Sequence, residues 1–233
     1  MSNKSVFVVD EAFLDNFGNF RNPINTLDHK LNSIYPHFYL ANYDLRIIDH
    51  KLPKYPKTMD FQEMRELYPE WFYDPYREVA LPNIESLKVV CQNRVIKNVF
   101  LGSFTLEHFK YLAPYIKDTT EMLYLHKCNS MNDLSVLSDF VNLKCVHIYW
   151  NNKLETLWNM EKNVNLKVLS FLSTTNLKNV EALAKSTVEY ITFDGESAST
   201  YITNHQFADL SIFQSIPNLK HLTINYKNLK IND

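Results

Sequence analysis

Asn142-Leu143-Lys144-Cys145-Val146-His147-Ile148-Tyr149 carries the pattern that decides the fold: apolar residues at 143, 146 and 148, with two variable positions after the first and one after the second. Asn165-Leu166-Lys167 and Asn218-Leu219-Lys220 open the same pattern, continued by Leu169/Phe171 and Leu222/Ile224. Weaker copies stand at Ile96/Val99/Leu101 and Val188/Ile191/Phe193, and Thr120/Leu123/Leu125 has Thr in the first slot. The first slots at 96, 120, 143, 166, 188 and 219 are separated by 24, 23, 23, 22 and 31 residues. The last interval is one ordinary unit plus an insertion, for which the small, polar stretch Gly195–Thr200 is the natural place.

The second half of each unit has another period. Apolar residues recur at every third position in Met131/Leu134/Leu137/Phe140, Leu154/Leu157/Met160, Leu177/Val180/Leu183 and Phe207/Leu210/Phe213/Ile216. Alternation in the first half suits a strand, and three-residue spacing suits one face of a short α-helix or 3₁₀ segment. Two periods kept in phase over four units imply one structural unit repeated along the chain.

This pattern resembles the leucine-rich-repeat family, whose unit begins L-x-x-L-x-L. The resemblance covers residues 84–233 and implies an α/β solenoid: a parallel concave sheet, short helices or 3₁₀ turns on the convex side, and one core shared by stacked units. In that family an Asn, Cys or Thr eight residues after the first slot bonds backbone groups of the turn. Cys128, Asn151 and Thr174 match that position, and Glu196, inside the insertion, does not.

Residues 1–80 lie outside the repeat and are rich in aromatic residues and Pro, as in Tyr35-Pro36, Tyr55-Pro56 and Tyr68-Pro69. Pro lacks an amide donor and restricts its predecessor, so these pieces read as turns and extended segments. Strands are expected at Ser5–Val9 and Phe38–Ile48, and a helix at Asp60–Leu67, where Asp60 and Glu63 have capping-box spacing. The division is therefore an irregular N-terminal cap or small α+β segment over 1–80 and the repeats over 81–233. The cap would cover the first repeat's open sheet edge, which otherwise invites aggregation.

Composition narrows the function classes. With 24 Lys+Arg against 26 Asp+Glu the formal charge is −2, which argues against nucleic-acid binding through a basic face. Only three Gly occur, at 18, 102 and 195, too scattered for a phosphate-cradling loop. The odd set Cys91, Cys128 and Cys145 has no CxxC pair and fits a reducing compartment. No apolar segment reaches the roughly 18 residues that span a membrane, and the apolar run Val6–Val9 is too short for a secretion signal. The expected location is cytoplasmic.

Strand alternation places side chains two, four and six residues after the first slot away from the repeat core. The row at two holds Met122, Tyr190 and His221, with Asn98, Cys145 and Val168. The row at four holds Phe100, Tyr124 and His147, and the row at six holds His126, Tyr149, Leu172 and Asp194. Aromatic and His side chains on one rigid face suit protein recognition, since they offer large contact area for few rotatable bonds. Phe100, Met122, Tyr124, His126, His147, Tyr149, Leu172, Tyr190, Asp194 and His221 are therefore the candidate partner-binding residues. Trp150 and Trp158 are expected to be structural, although Trp150, just past its strand, could flank the rim of this face.

No catalytic residues and no cofactor are expected. Cys145, His147 and Asp194 share a face, but side chains two apart on one strand rarely achieve nucleophile–base contact, and Asp194 comes from a non-neighbouring strand. His126, Cys145 and His147 lack the local ligand spacing of a zinc site. The reading is a non-catalytic module that binds another protein, with no nucleic acid or membrane partner, as a monomer or weak homodimer. A bacterial-type inhibitor or immunity protein covering a toxin's active site is a special case of it. Alternatives are a small enzyme domain in 1–80 whose substrate the repeats recruit, a self-associating structural protein, and a face covered by the chain's own N-terminal segment or by a second copy.

Overall fold

The computed structural model describes residues 5–10, 45–51, 78–81, 84–92, 95–194, 205–207, 210–225 and 229–231. In chain order these form β1 (Ser5–Asp10), β2 (Leu45–Lys51), β3 (Glu78–Leu81), α1 (Ile84–Gln92), β4 (Asn98–Gly102), α2 (Leu106–Ile116), β5 (Met122–His126), β6 (Cys145–Tyr149), β7 (Val168–Leu172), β8 (Tyr190–Asp194), β9 (His205–Phe207), β10 (His221–Asn225) and β11 (Leu229–Ile231). Each strand of the repeated pattern begins two residues after its first slot. The alternating apolar residues of that pattern need one face buried, and a strand provides it.

Nine strands make one sheet, in the order β10-β8-β7-β6-β5-β4-β2-β1-β3. β4, β5, β6, β7, β8 and β10 are parallel and share one register, so that Val99, Leu123, Val146, Leu169, Ile191 and Leu222 lie side by side. A parallel sheet of six strands carried by few helices is an α/β arrangement. The sheet does not stop at the first repeat. β2 pairs parallel with β4, β1 pairs antiparallel with β2, and β3 pairs antiparallel with β1. The strand expected at Ser5–Val9 is β1, one residue longer. The strand expected at Phe38–Ile48 appears as Leu45–Lys51, while 38–44 and the helix expected at Asp60–Leu67 lie outside the described residues.

The core lies on one side of this sheet. Leu101, Leu125, Ile148, Phe171 and Phe193 from the strands meet Met131, Leu137, Leu154, Leu177 and Leu183 from the intervening halves, all fully buried. The halves differ in form. Ser135–Asp139, Glu181–Lys185 and Ser211–Ser215 are 3₁₀ turns. The stretch around Leu154–Met160 runs irregularly and is tied to the next unit by one parallel bridge, Thr156 to Asn179. Between β4 and β5 the crossover is instead the true helix α2. Thr105 caps it, its hydroxyl accepting from the His108 amide at 3.1 Å, and it buries Phe109, Leu112, Ala113 and Ile116. The spacing of those four residues is the helical i, i+3, i+4, i+7 stripe.

Neighbouring units are joined by backbone and side-chain bonds at the repeat interval. The carbonyl one residue past each first slot accepts two amides of the next unit: Lys97 from Glu121 and Met122, Glu121 from Lys144 and Cys145, and Lys144 from Lys167 and Val168. Asn142 Nδ2 and Asn165 Nδ2 reach back to the carbonyls of Asp118 and Val141. At the turn, Asn151 Oδ1 accepts from the amides of Lys153 and Leu154, and its Nδ2 donates to Met131 O at 2.7 Å. Cys128 Sγ donates to Leu101 O in the equivalent place. Thr174 occupies the slot but its buried hydroxyl has no hydrogen-bond partner among the described residues.

Candidate functional site

The strands position the candidate residues as two rows of rings on the sheet face opposite the core. In one row the Phe100 and Tyr124 rings meet edge-on with centroids 4.8 Å apart, and Tyr124 meets His147 edge-on at 4.4 Å. In the next row His126 and Tyr149 stack at 4.9 Å, and Phe100 stacks on His126 from the other side at 5.6 Å. Gly102, beside His126 in register, has no side chain to compete for the space that the Phe100 ring reaches into. The two rows are linked by a 3.2 Å hydrogen bond between the Tyr124 hydroxyl and His126 Nδ1.

The rows differ sharply in exposure. Phe100, Met122, Tyr124, His147 and Leu172 are buried, with relative exposures of 4, 6, 1, 0 and 2%. In this conformation those five touch no external partner. The leading reading of the sequence left this face free for a partner, with a covered face as its alternative. Here the middle strands are buried on both faces, as is common for parallel sheets. Solvent reaches the rows where the strands end. His126, Tyr149 and Tyr190 are half-buried and His221 is exposed. Asp194 ends β8 beside Leu172 in register.

Burial also fixes the protonation of the inner row. The His147 imidazole is pushed down to about 3 by loss of water and, secondarily, by the nearby His126. His147 is therefore neutral at any ordinary pH. The Tyr149 phenol is pushed up by partial burial, so it stays protonated as well. His147 and Tyr149 thus contribute rings without net charge.

Just past the strand ends the chain turns through a left-handed residue at the same point of four units: Ser103, Lys127, Trp150 and Ser173, with φ of 57, 53, 56 and 54°. Their amides close the turn onto the next unit, Ser103 to His126 O, Lys127 to Tyr149 O and Trp150 to Leu172 O, each at 2.8 Å. This aims Lys127 and the half-buried Trp150 outward beside the stacked pair. Lys127 Nζ lies 5.4 Å from the centroid of the Trp150 ring, and Trp150 meets Tyr149 edge-on at 6.1 Å. His126, Lys127, Tyr149 and Trp150 thus form one continuous, partly exposed group at the C-terminal ends of β5 and β6. The flanking position assigned to Trp150 was legible; Lys127 was not, because its slot is occupied by Ser, Lys, Trp and Ser and has no residue-type pattern.

Chemically the group can stack and donate hydrogen bonds. Cys145 and His147 are two apart on β6 and both buried, so neither presents a reacting atom to solvent. Among the described residues no set of three or more His, Cys, Asp or Glu is placed to hold a metal ion. Nor is any helix of the described residues long and apolar enough to cross a membrane.

Sequence reading also missed a charged row on the opposite rim, at the N-terminal ends of the strands. Glu121 lies between Lys97 at 3.1 Å and Lys144 at 2.6 Å, and Glu189 between Lys167 at 3.1 Å and Lys220 at 2.6 Å. The signal was present: the residue after each first slot reads Lys, Glu, Lys, Lys, Glu, Lys. Comparison with protein-family models, with curated proteins and with solved structures finds no match to this chain.

Proposed function

We propose that the chain is a non-catalytic, protein-binding repeat module of the leucine-rich-repeat kind, which works in the cytoplasm and recognises its partner at the rim formed by His126, Lys127, Tyr149 and Trp150. The solenoid part of this reading is supported by parallel strands recurring every 22–24 residues over most of their length, in one register and over one continuous core. The observation that carries the binding part is the His126–Tyr149 stack, with Trp150 edge-on to Tyr149, half-buried at the C-terminal ends of two inner strands. Aromatic rings held still by packing lose little entropy on association, and a ring of polar neighbours shields them from water once covered.

The buried row beneath supports the rim and is not itself the contact surface. The test is affinity capture from the native host with the intact chain and with Tyr149→Ala and Trp150→Ala, identifying what is retained. Capture should fall at least about tenfold for the variants, the usual size of a hot-spot loss. Thermal unfolding of the variants is measured alongside. Undiminished capture by folded variants rejects the rim as the site.

A further inference from the structure

Trp150 stands where the repeat has least room for a large ring. Ser103, Lys127 and Ser173 fill the same slot in other units, and all four residues have φ between 53 and 57°. That region crowds Cβ against the following carbonyl, and a bulky side chain is an outlier there. Burial does not compensate, since Trp150 is half-buried at the rim and does not belong to the continuous core. Such a conformation persists only where the surroundings over-determine it.

The surroundings act on both backbone and ring. The Trp150 amide donates to Leu172 O at 2.8 Å, and Lys127 Nζ lies 5.4 Å from the ring centroid. The indole N–H is taken by Asn152, two residues on. Asn152 Oδ1 accepts from Trp150 Nε1 at 3.3 Å, while Nδ2 donates to Ser173 O at 2.9 Å and Thr175 Oγ1 at 3.2 Å. The opposite amide orientation sets oxygen against the Ser173 carbonyl and the amide nitrogen against the indole N–H, so the network selects this one. The Asn152 backbone is itself held from both sides. Its N–H donates to Asn129 Oδ1 at 3.2 Å, and its carbonyl accepts from Asn176 Nδ2 at 2.6 Å. Asn129 fills the same slot one unit earlier and applies its side chain to that backbone amide. Asn152 instead turns its side chain to Trp150 and the following unit.

We propose that Asn152 is a positioning residue of the rim: it occupies the indole N–H and holds Trp150 so that a partner meets the ring and not a hydrogen-bond donor. The inference rests on the rim being the binding site. A ring fixed before association has less freedom to lose on binding, which is where the positioning acts.

The test begins with the free, intact chain. Its three Trp give three indole N–H resonances, and Trp150→Phe identifies the one that belongs to Trp150. In the natural chain that N–H should exchange with solvent at least about fivefold more slowly than in free tryptophan, the worth of one hydrogen bond. Asn152→Ala should remove this protection. The Trp158 indole, bonded to Asn163, should keep its own and so report an intact fold. Capture of the partner from the native host should then fall for Asn152→Ala toward the level of Trp150→Ala. An unprotected Trp150 indole in the natural chain overturns the proposal, as does protection undiminished in Asn152→Ala. Full capture by Asn152→Ala where Trp150→Ala loses it overturns the proposal equally. Full capture by both variants rejects the rim as the binding site, and the indole exchange then decides by itself whether Asn152 holds the ring.

Discussion

Trp158 Nε1 donates to Asn163 Oδ1 at 2.8 Å, with both side chains buried at a bend of the chain between β6 and β7. The same Asn163 sends its Nδ2 back one unit, to Leu137 O and Phe140 O at 2.9 Å each. One amide thus satisfies three buried groups on two units. Asn163→Leu leaves the indole N–H without a partner, while Leu137 O and Phe140 O lose one bond each and keep the amides of Phe140 and Leu143; a buried orphan costs on the order of 1–3 kcal/mol. We expect a loss of about 2 kcal/mol in urea unfolding. Adding Trp158→Phe, which removes the orphaned N–H, should restore part of that loss; a double variant no better than Asn163→Leu would show that the bond contributes little.

Ser103 and Ser173 adopt φ near +55° without being Gly. An L-residue pays about 1–2 kcal/mol for this region because its Cβ crowds the following carbonyl. Ser103→Gly removes the crowding while adding freedom to the unfolded chain. The net expectation is stabilisation by about 0.5–1 kcal/mol. Ser103→Val should instead destabilise by more than about 1 kcal/mol, since a branched side chain tolerates this region worst. Equal midpoints for Gly, Ser and Val in chemical unfolding would contradict the strained turn.

The parallel sheet was legible because a short apolar pattern, repeated at Leu143, Leu166 and Leu219, fixes both strand position and register. The helix α2 was not read, since its Leu106/Phe109/Leu112/Ile116 stripe occurs once and lacks a counterpart in later units. β2 and β3 were misjudged or missed for a similar reason: they join the sheet through pairing with distant partners, Val99 and Val9, and such pairing leaves no local period. The face of the sheet was legible, as alternation alone places Tyr124 and His147 on it. Its burial was not, because whether a strand's second face meets water depends on what lies across it in space. The Lys–Glu row could have been read from the residues beside the first slots, had charge been tracked along the same period as apolarity.

Glu121 between Lys97 and Lys144 is held below the usual carboxylate range, chiefly by its hydrogen bond to Lys144 and then by Lys97. Its side chain is 27% exposed and the two lysines about half exposed, so water and salt screen much of the attraction. Glu121→Gln should therefore cost under about 1 kcal/mol at low ionic strength. Most of that cost should vanish in 1 M salt, where the Debye length is about 3 Å. A loss of stability that persists undiminished at high salt would mean that Glu121 acts through packing instead of charge.

His147 gives the fold a pH dependence of its own. Its imidazole titrates near the ordinary 6.5 when the chain is unfolded and is pushed down to about 3 in the fold, mainly by burial. Between those values the unfolded chain binds a proton that the folded chain refuses. Stability from this group is thus complete above pH 6.5 and is lost as pH falls, by up to about 1.4 kcal/mol per pH unit. The carboxylates Glu121 and Glu189, held low by lysines, add their own loss only below about pH 4.5. Among these groups the window from pH 5 to 6.5 therefore belongs to His147, and the comparison is between the natural chain and His147→Met, which keeps the buried volume without a titrating group. Urea midpoints should fall with acidification in the first and less steeply in the second, the difference in slope approaching one proton. Parallel slopes for the two chains would place a water-accessible, protonatable imidazole at 147 and with it an open inner row of the sheet face.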